Sequence, residues 1–190
     1  MTSNRHNTYL DAARAAILDV GWKRSTLTDV ARRAGVSRMT IYRTWPDMQT
    51  LLADLMTREW TEILAAVPPP VDGQPTPEGI AAGITAAIDA LRANPLFRRI
   101  LDLDPELLLP YLLDRRGRSQ QAILGFLTPR IAAGQEAGLV CSSDPEVLAR
   151  TLVLAAHGLT LSAHTMIDGD VSQGDLSGAF EQLVIGALTP

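Results

Sequence analysis

The sequence predicts an all-α protein of about nine helices. Aliphatic residues and alanine recur at the three- and four-residue spacing of amphipathic helices along most of the 190 residues. Alternating apolar and polar runs, which would indicate half-buried strands, are nearly absent. Polar capping residues precede the expected helix starts, and glycine follows several expected ends. These patterns together favour a helical bundle.

The first three helices are short and clearly punctuated. The first has one apolar stripe, formed by Leu10, Ala13, Ile17 and Val20. Gly21 should end it, because glycine commonly terminates helices. Thr26 is the predicted N-cap of the second helix, with Asp29 in the capping-box position. That helix should end at Gly35, and Ser37 should cap a third helix that runs to about residue 45.

The rest of the chain is predicted to be helical after one long connection. Asp47 can cap a fourth helix through about Val67, and the segment 68–77 is rich in proline and other breakers. Three later helix starts are indicated by a polar cap followed by proline, at Asn94, Asp104 and Asp144. Pro129 should kink or split the helix at about 119–137. The last two helices are predicted at about 145–166 and 174–187.

Composition and cysteine content exclude several classes of protein. Hydrophobic residues make up 46% of the chain and charged residues 20%, which is typical of a globular protein and not of a disordered one. The single cysteine, Cys141, excludes an intramolecular disulfide and a multi-cysteine metal site. No secretory signal or membrane span is predicted, since the longest uncharged run, 151–167, is short and contains His157 and His164. We therefore expect a cytoplasmic protein.

The charge is distributed very unevenly along the chain. Residues 1–45 contain eight Arg or Lys and three acids, a net charge of +5, whereas residues 46–190 contain nine basic and eighteen acidic residues, a net charge of −9. A basic N-terminal region on an acidic body suggests contact with a polyanion. The alternative is a solvated helix face that is basic without a partner.

Residues 26–45 have the pattern of a helix-turn-helix, with a tight turn at Gly35. In this motif the second helix enters the DNA major groove. A rotation of 100° per residue places Ile41 and Trp45 on the core side. The opposite side then carries Met39, Thr40, Tyr42 and Arg43. These side chains offer apolar contact to a thymine methyl, hydroxyls for phosphate and a guanidinium for guanine. The alternative is an ordinary αα-hairpin with a polar exposed face.

Residues 21–52 begin with Gly21-Trp22 and contain, at 26–45, the run Thr-Leu-Thr-Asp-Val-Ala-Arg-Arg-Ala-Gly-Val-Ser-Arg-Met-Thr-Ile-Tyr-Arg-Thr-Trp. This segment, which ends at Leu52, resembles the N-terminal domain of tetracycline-repressor-type (TetR) transcriptional regulators. The resemblance covers residues 8–55. It implies a homodimer that represses transcription from a palindromic operator, with a pocket for a small apolar ligand in the C-terminal bundle and release of DNA when that ligand binds. It also implies a DNA-binding domain at 3–63 and a ligand-binding and dimerisation domain at 78–190.

The resemblance places a set of side chains toward DNA, and helix rotation adds Met39. The predicted DNA-facing set is Thr26, Thr28, Ser37, Arg38, Met39, Thr40, Tyr42 and Arg43. Two positions depart from the family pattern: Met39 stands where a small residue is common, and Met48 where a phosphate-contacting lysine is common. Gln49 follows, where glutamate is usual. The basic residues that could replace this phosphate contact are Arg5, Lys23 and Arg24.

The C-terminal region is expected to supply the dimer interface and the ligand pocket. The last two helices are the candidate interface, through Ala149, Ala155, Ala156, Gly158, Leu176, Phe180, Leu183 and Val184. The same residues could instead form an intramolecular core. The candidate ligand-binding residues are Trp60, Phe97, Tyr111, Phe126, His157 and Met166. Residues of these kinds are more often part of the core.

The leading function is a sequence-specific transcriptional regulator. An enzyme with a degenerate helix-turn-helix is one alternative, although the sequence shows no nucleophile elbow, phosphate loop or HExxH motif, and so no catalytic residues are predicted. A helical module whose basic region binds an acidic protein is the other. No cofactor is predicted. No metal site is predicted either, because His157 and His164 have no third ligand at a suitable spacing.

Overall fold

The computed structural model describes residues 2–67 and 74–190, with side chains from Arg5 onward. Its α-helices are α1 (Thr2–Val20), α2 (Leu27–Arg33), α3 (Arg38–Thr44), α4 (Met48–Ala66), α5 (Pro77–Ala93), α6 (Pro95–Leu103), α7 (Leu109–Leu113), α8 (Arg118–Glu136), α9 (Pro145–Ser162) and α10 (Gln173–Leu188). No strand occurs in these residues. The predicted all-α class is confirmed. Most of the breaker-rich connection, residues 68–73, lies outside the described residues.

The helices begin where their capping residues predict. Thr26 and Ser37 each accept a hydrogen bond from the backbone N–H three residues ahead. Asp47 accepts one from the Thr50 N–H at 2.7 Å. Asn94 and Asp144 cap α6 and α9, with proline at the first helical position. Helices α2, α3, α4, α6 and α9 therefore start where the sequence predicts.

Two predicted breaks differ from the structure. Asp104-Pro105 opens only a three-residue 3-10 turn, Pro105–Leu107, and Asp104 makes no capping hydrogen bond there. Helix α8 runs unbroken through Pro129, so the helix is not split there. A kink at Pro129, the other predicted outcome, stays a prediction. Proline removes one backbone hydrogen bond, and the burial of Leu127 and Ile131 on either side of it keeps the helix in place. A 3-10 turn, Ala163–Met166, follows α9.

The described chain forms two compact units. The first combines the residues up to Trp60 with Ala93–Ser119, and the second combines Thr61–Arg92 with Gln120–Pro190. This division differs from the predicted domains 3–63 and 78–190, because α6 and α7 belong to the same compact unit as the N-terminal helices. Side chains of α6 explain the difference: Leu96 and Ile100 are buried in the same core as Ile17, Val30 and Ile41. The assignment of separate functions to the predicted domains stays a prediction.

A buried polar cluster also joins α6 to the first unit. Glu59 of α4 is 5% exposed, and its carboxylate pairs with Arg14 of α1 at 3.3 Å. The Asn94 side-chain amide donates to Glu59 at 2.8 Å while its oxygen caps α6. A buried carboxylate is tolerated only when such partners satisfy it. The start of α6 is thus fixed to α1 and α4.

The second unit has its own apolar core. It is formed by residues of α5, α8, α9 and α10, among them Ile88, Ile131, Leu152 and Val184. The Arg92 guanidinium donates to the Leu159 carbonyl at 2.9 Å, which joins α5 to α9. No described helix is both long enough and apolar enough to cross a membrane.

Candidate nucleic-acid interface

The connection between α2 and α3 is a tight turn that depends on Gly35. Its φ of 67° lies in the left-handed region that glycine adopts without strain. The Val36 N–H donates to the Ala31 carbonyl at 3.0 Å across this turn. Residues 34–37 therefore connect two seven-residue helices without a longer loop. This is the geometry of a helix-turn-helix.

Helix α3 separates its buried and exposed side chains as the rotation argument predicts. Ile41 and the following Trp45 are fully buried. On the other side, Met39 is 70% exposed and Tyr42 46% exposed. All the predicted DNA-facing side chains are exposed except Thr40, which is half-buried. The polar and apolar groups proposed for base and phosphate contact are thus available at the surface of the free protein.

Half of the basic residues in the N-terminal region are neutralised by acids. Within residues 5–45, four basic side chains form ion pairs: Arg14 with Glu59, Lys23 with Glu106, Arg32 with Asp29, and Arg33 with Asp19. The other four, Arg5, Arg24, Arg38 and Arg43, have no acidic partner among the described residues. Phosphate can bind such guanidiniums without displacing a carboxylate.

Lys23 is held by carboxylates of the 3-10 turn after α6. Its Nζ lies 2.6 Å from Glu106 and 3.7 Å from Asp104, and the hydrogen bond with Glu106 raises the pKa of Lys23 above its usual value. The carboxylate of Asp104, 3% exposed, also accepts the Trp22 backbone N–H at 3.0 Å. Lys23 is therefore a poorer substitute phosphate contact than Arg24, for which the described residues supply no acidic partner. The Asp104-Pro105 pattern indicates a helix cap, and nothing in it points to a contact with residues 22 and 23.

The N-terminus of α4 differs from that of a typical anion site. The Asp47 carboxylate accepts the Thr50 N–H, and this bond lowers the pKa of Asp47. A carboxylate thus occupies a position where a helix N-terminus could otherwise receive a phosphate. Met48 is half-buried and packs against the core, so it presents no charge to a polyanion. Neither Asp47 nor Met48 therefore offers a positive group to a polyanion at the start of α4.

The candidate ligand-binding residues are divided between the two compact units. Trp60, Phe97 and Tyr111 belong to the first unit, and Phe126, His157 and Met166 to the second. Phe97 is buried and Met166 is 67% exposed. The guanidinium of Arg130 lies 3.4 Å from the centroid of the Phe126 ring, and burial lowers the pKa of His157. Their role in binding a ligand stays a prediction.

Residues 2–67 and 74–190 contain no candidate metal centre. No group of three or more His, Cys, Asp or Glu side chains is placed to hold an ion there. Cys141 donates a weak hydrogen bond to the Ala187 carbonyl at 3.4 Å. Neither observation identifies catalytic chemistry.

The two capped helices, the glycine turn and the exposed face of α3 together define a helix-turn-helix DNA-binding protein. The family model of bacterial regulatory proteins of the tetR family matches residues 10–55. The HTH-type transcriptional regulator Rv2250c of Mycobacterium tuberculosis is 33% identical over 191 residues, covering 99% of this chain and 98% of the relative. The chain belongs to the TetR family and is a helix-turn-helix transcriptional regulator.

Solved structures share this fold at lower identity. The TetR-family repressor QsdR of R. erythropolis matches with a TM-score of 0.67 and 18% identity, covering 100% of this chain and 98% of that one. A complex of triclosan with SmeT, the repressor of the Stenotrophomonas maltophilia multidrug efflux pump SmeDEF, matches with a TM-score of 0.64 and 18% identity, covering 98% and 92%. Family membership favours a regulator over the enzyme and interaction-module alternatives.

The cap of α4 generates a prediction about acid stability. Because the hydrogen bond from Thr50 lowers the folded-state pKa of Asp47 below its usual 3.8, its contribution to stability is complete above that value. It is lost as the pH falls through the lower folded-state pKa. Asp47→Asn retains an acceptor but cannot ionise. The wild-type advantage in free energy of unfolding over Asp47→Asn should therefore shrink across this acid range.

Urea unfolding at a series of pH values measures this difference. Asp102→Asn is the control, because Asp102 is exposed on α6 and has no hydrogen-bond partner within the described chain. An advantage over Asp47→Asn that stayed constant with pH would contradict the capping role of the carboxylate.

Proposed function

We propose that this regulator is a homodimeric repressor that binds a palindromic operator in the cytoplasm and is released by a small apolar ligand. The observation that carries the DNA-binding part is the exposed face of α3, which presents Met39, Tyr42 and Arg43 opposite the buried Ile41 and Trp45. In a helix-turn-helix, side chains on this face reach base edges in the major groove. Thr26, Thr28, Ser37, Arg38 and Thr40 complete the proposed DNA-facing set.

The arginines that have no acidic partner among the described residues are candidates for two kinds of DNA contact, with bases and with phosphates. Arg43 is the candidate for reading a guanine, because guanidinium binds its O6 and N7 together. Arg38 and Arg24 are candidates for phosphate contacts. Arg32 and Arg33 each have a carboxylate partner and are weaker candidates for these contacts.

The proposed dimer interface is the exposed apolar surface of α9 and α10. On α9, Val147 and Leu154 are 59% and 68% exposed, and Leu183 of α10 is 72% exposed. Ala155 and Gly158 are also exposed and allow close approach of helices. Ala149, Phe180 and Val184, predicted to be at the interface, are buried in the core of the second unit. Both helices have two apolar faces, one buried in the core and one exposed. The sequence pattern alone does not show which face is which.

The ligand proposal rests on family membership and on the fold shared with a triclosan-bound repressor. The ligand would act by binding two arrangements of the dimer with different affinities, since only differential affinity can shift DNA binding. Trp60, Phe97, Tyr111, Phe126, His157 and Met166 remain the candidate ligand-binding residues. The relatives are named as regulators, and no catalytic step is proposed.

Selection of bound sequences from a random double-stranded DNA pool at near-physiological salt tests the proposed function. Enrichment of a palindrome is expected, because a two-fold symmetric dimer presents two recognition helices roughly 34–36 Å apart. Weak binding that disappears as salt rises, without enrichment, would leave only a basic surface and would refute the proposal.

Arg43→Ala should lose sequence discrimination at one base pair of each half-site. The wild-type protein should prefer the selected operator over a variant substituted at that base pair. If Arg43 binds guanine bidentately, Arg43→Ala should reduce this preference by about 1–3 kcal/mol of binding free energy. Competition binding with single-base operator variants measures this. An unchanged preference at every position would show that α3 is docked in another way.

Arg24→Ala should weaken binding to all DNA sequences alike. Loss of one phosphate contact reduces the slope of log affinity against log salt by about 1 for each site. Arg33→Ala is the control, because it removes the same charge as Arg24→Ala. Arg33 is paired with Asp19 at 2.7 Å and is not expected to contact phosphate. Equal salt slopes for the two variants would contradict a phosphate contact by Arg24.

Leu183→Arg should convert the protein into monomers, because it places a charge in the proposed apolar interface. Leu113→Arg is the control, since Leu113 is 76% exposed on α7, in the other unit. Sedimentation velocity measures the mass, and circular dichroism checks the fold. A surviving Leu183→Arg dimer would move the interface elsewhere.

A further inference from the structure

The C-terminal end of α3 is fixed through one buried side chain. Trp45, the C-cap of α3, has no exposed surface, and its indole Nε1–H donates to Asp54 Oδ2 of α4 at 2.7 Å. The centroid of its ring lies 4.8 Å from that of the His6 imidazole in α1. A buried indole N–H needs an acceptor. The position of Asp54 therefore restricts where Trp45, and with it α3, can lie.

The other oxygen of the same carboxylate is held by a distant part of the chain. Arg118 Nη1 lies 2.6 Å from Asp54 Oδ1, and Arg118 is the first residue of α8. The Asp54 side chain is 21% exposed, so this ion pair is partly shielded from solvent. One carboxylate thus connects the end of the helix proposed to read DNA with the first turn of α8.

These contacts are not needed to start or end the local helices. The Trp45 backbone N–H already bonds to the Ile41 carbonyl at the end of α3, and Asp47 caps the start of α4. Asp54 lies within α4, and its carboxylate contacts side chains from other parts of the chain. Its two strong contacts, with Trp45 and Arg118, are therefore tertiary in character.

We propose that Asp54 and Arg118 are positioning residues for DNA recognition. Arg118 fixes the Asp54 carboxylate, Asp54 fixes the indole of Trp45, and Trp45 fixes the end of α3 against α1 and α4. Neither Asp54 nor Arg118 belongs to the proposed DNA-facing set, so their effect on DNA is indirect. The inference rests on the proposed function, because the role it assigns is in DNA binding by α3.

Arg118→Met in the full chain tests the first step of this connection. Uniform ¹⁵N labelling gives one indole N–H resonance for each of Trp22, Trp45 and Trp60. The peaks lost in Trp22→Phe and in Trp60→Phe assign those two residues, and the remaining peak is that of Trp45. Arg118→Met should shift the Trp45 resonance and leave the other two in place. Arg118→Lys, which keeps the positive charge, should return the Trp45 resonance toward its wild-type position.

DNA affinity for the selected operator tests the consequence. Arg118→Met should weaken binding roughly two- to five-fold per protomer, the range expected for loss of a partly exposed ion pair. Arg116→Met is the matched control, because Arg116 is exposed in the same segment and has no ion pair among the described residues. When Asp54→Asn is already present, adding Arg118→Met should change affinity no further, since both substitutions break the same contact.

Three results would overturn the inference. These are equal operator affinity for Arg118→Met and Arg116→Met, an unshifted Trp45 resonance in Arg118→Met, and additive effects of Asp54→Asn and Arg118→Met. Failure of the proposed function is distinguishable from these, because the wild-type protein would then enrich no palindrome from the pool.

Discussion

Burial of Trp45 is the interaction on which the N-terminal unit depends. A helix of seven residues such as α3 is not stable alone in water, so its conformation must come from packing. Trp45 supplies much of this packing, with its ring at 4.8 Å from His6 and its N–H bound to Asp54. Ile41 adds a second fully buried side chain on the same face. The outward face of α3 is defined because its inward face is fixed.

Electrostatic pairing then determines which charges of this unit remain available. The sequence shows a basic N-terminal region, but the fold neutralises half of its cations with carboxylates from α1, α2, α4 and the turn after α6. Lys23 and Arg24 are adjacent in sequence and differ completely in this respect. Net charge over a segment therefore overstates the number of groups that can bind a polyanion.

The N-terminal motif could be predicted from sequence because its signals are local. Thr26, Gly35 and Ser37 act on the backbone within a few residues, and the structure places the helix ends where they indicate. Tertiary contacts had no such signal: Asp104 accepts a backbone N–H from residue 22, and Asp54 contacts Arg118. On α9 and α10 the apolar pattern was visible, but not which face is buried. The candidate ligand-binding residues have only a large and mostly apolar side chain in common. The sequence therefore contains no signal that groups them.

The packing of α6 has a consequence for exchanging parts between relatives. Cutting the chain at the proline-rich connection would separate residues 2–67 from Leu96 and Ile100, which complete their apolar core, and from Asn94, which bonds the buried Glu59. It would also remove Asp104 from the Trp22 N–H. A DNA-reading head grafted onto another bundle must therefore bring residues 93–119 with it, although they lie beyond the break in sequence. The operator specificity proposed for this protein thus depends on a segment, residues 93–119, that contains none of the proposed DNA-facing residues.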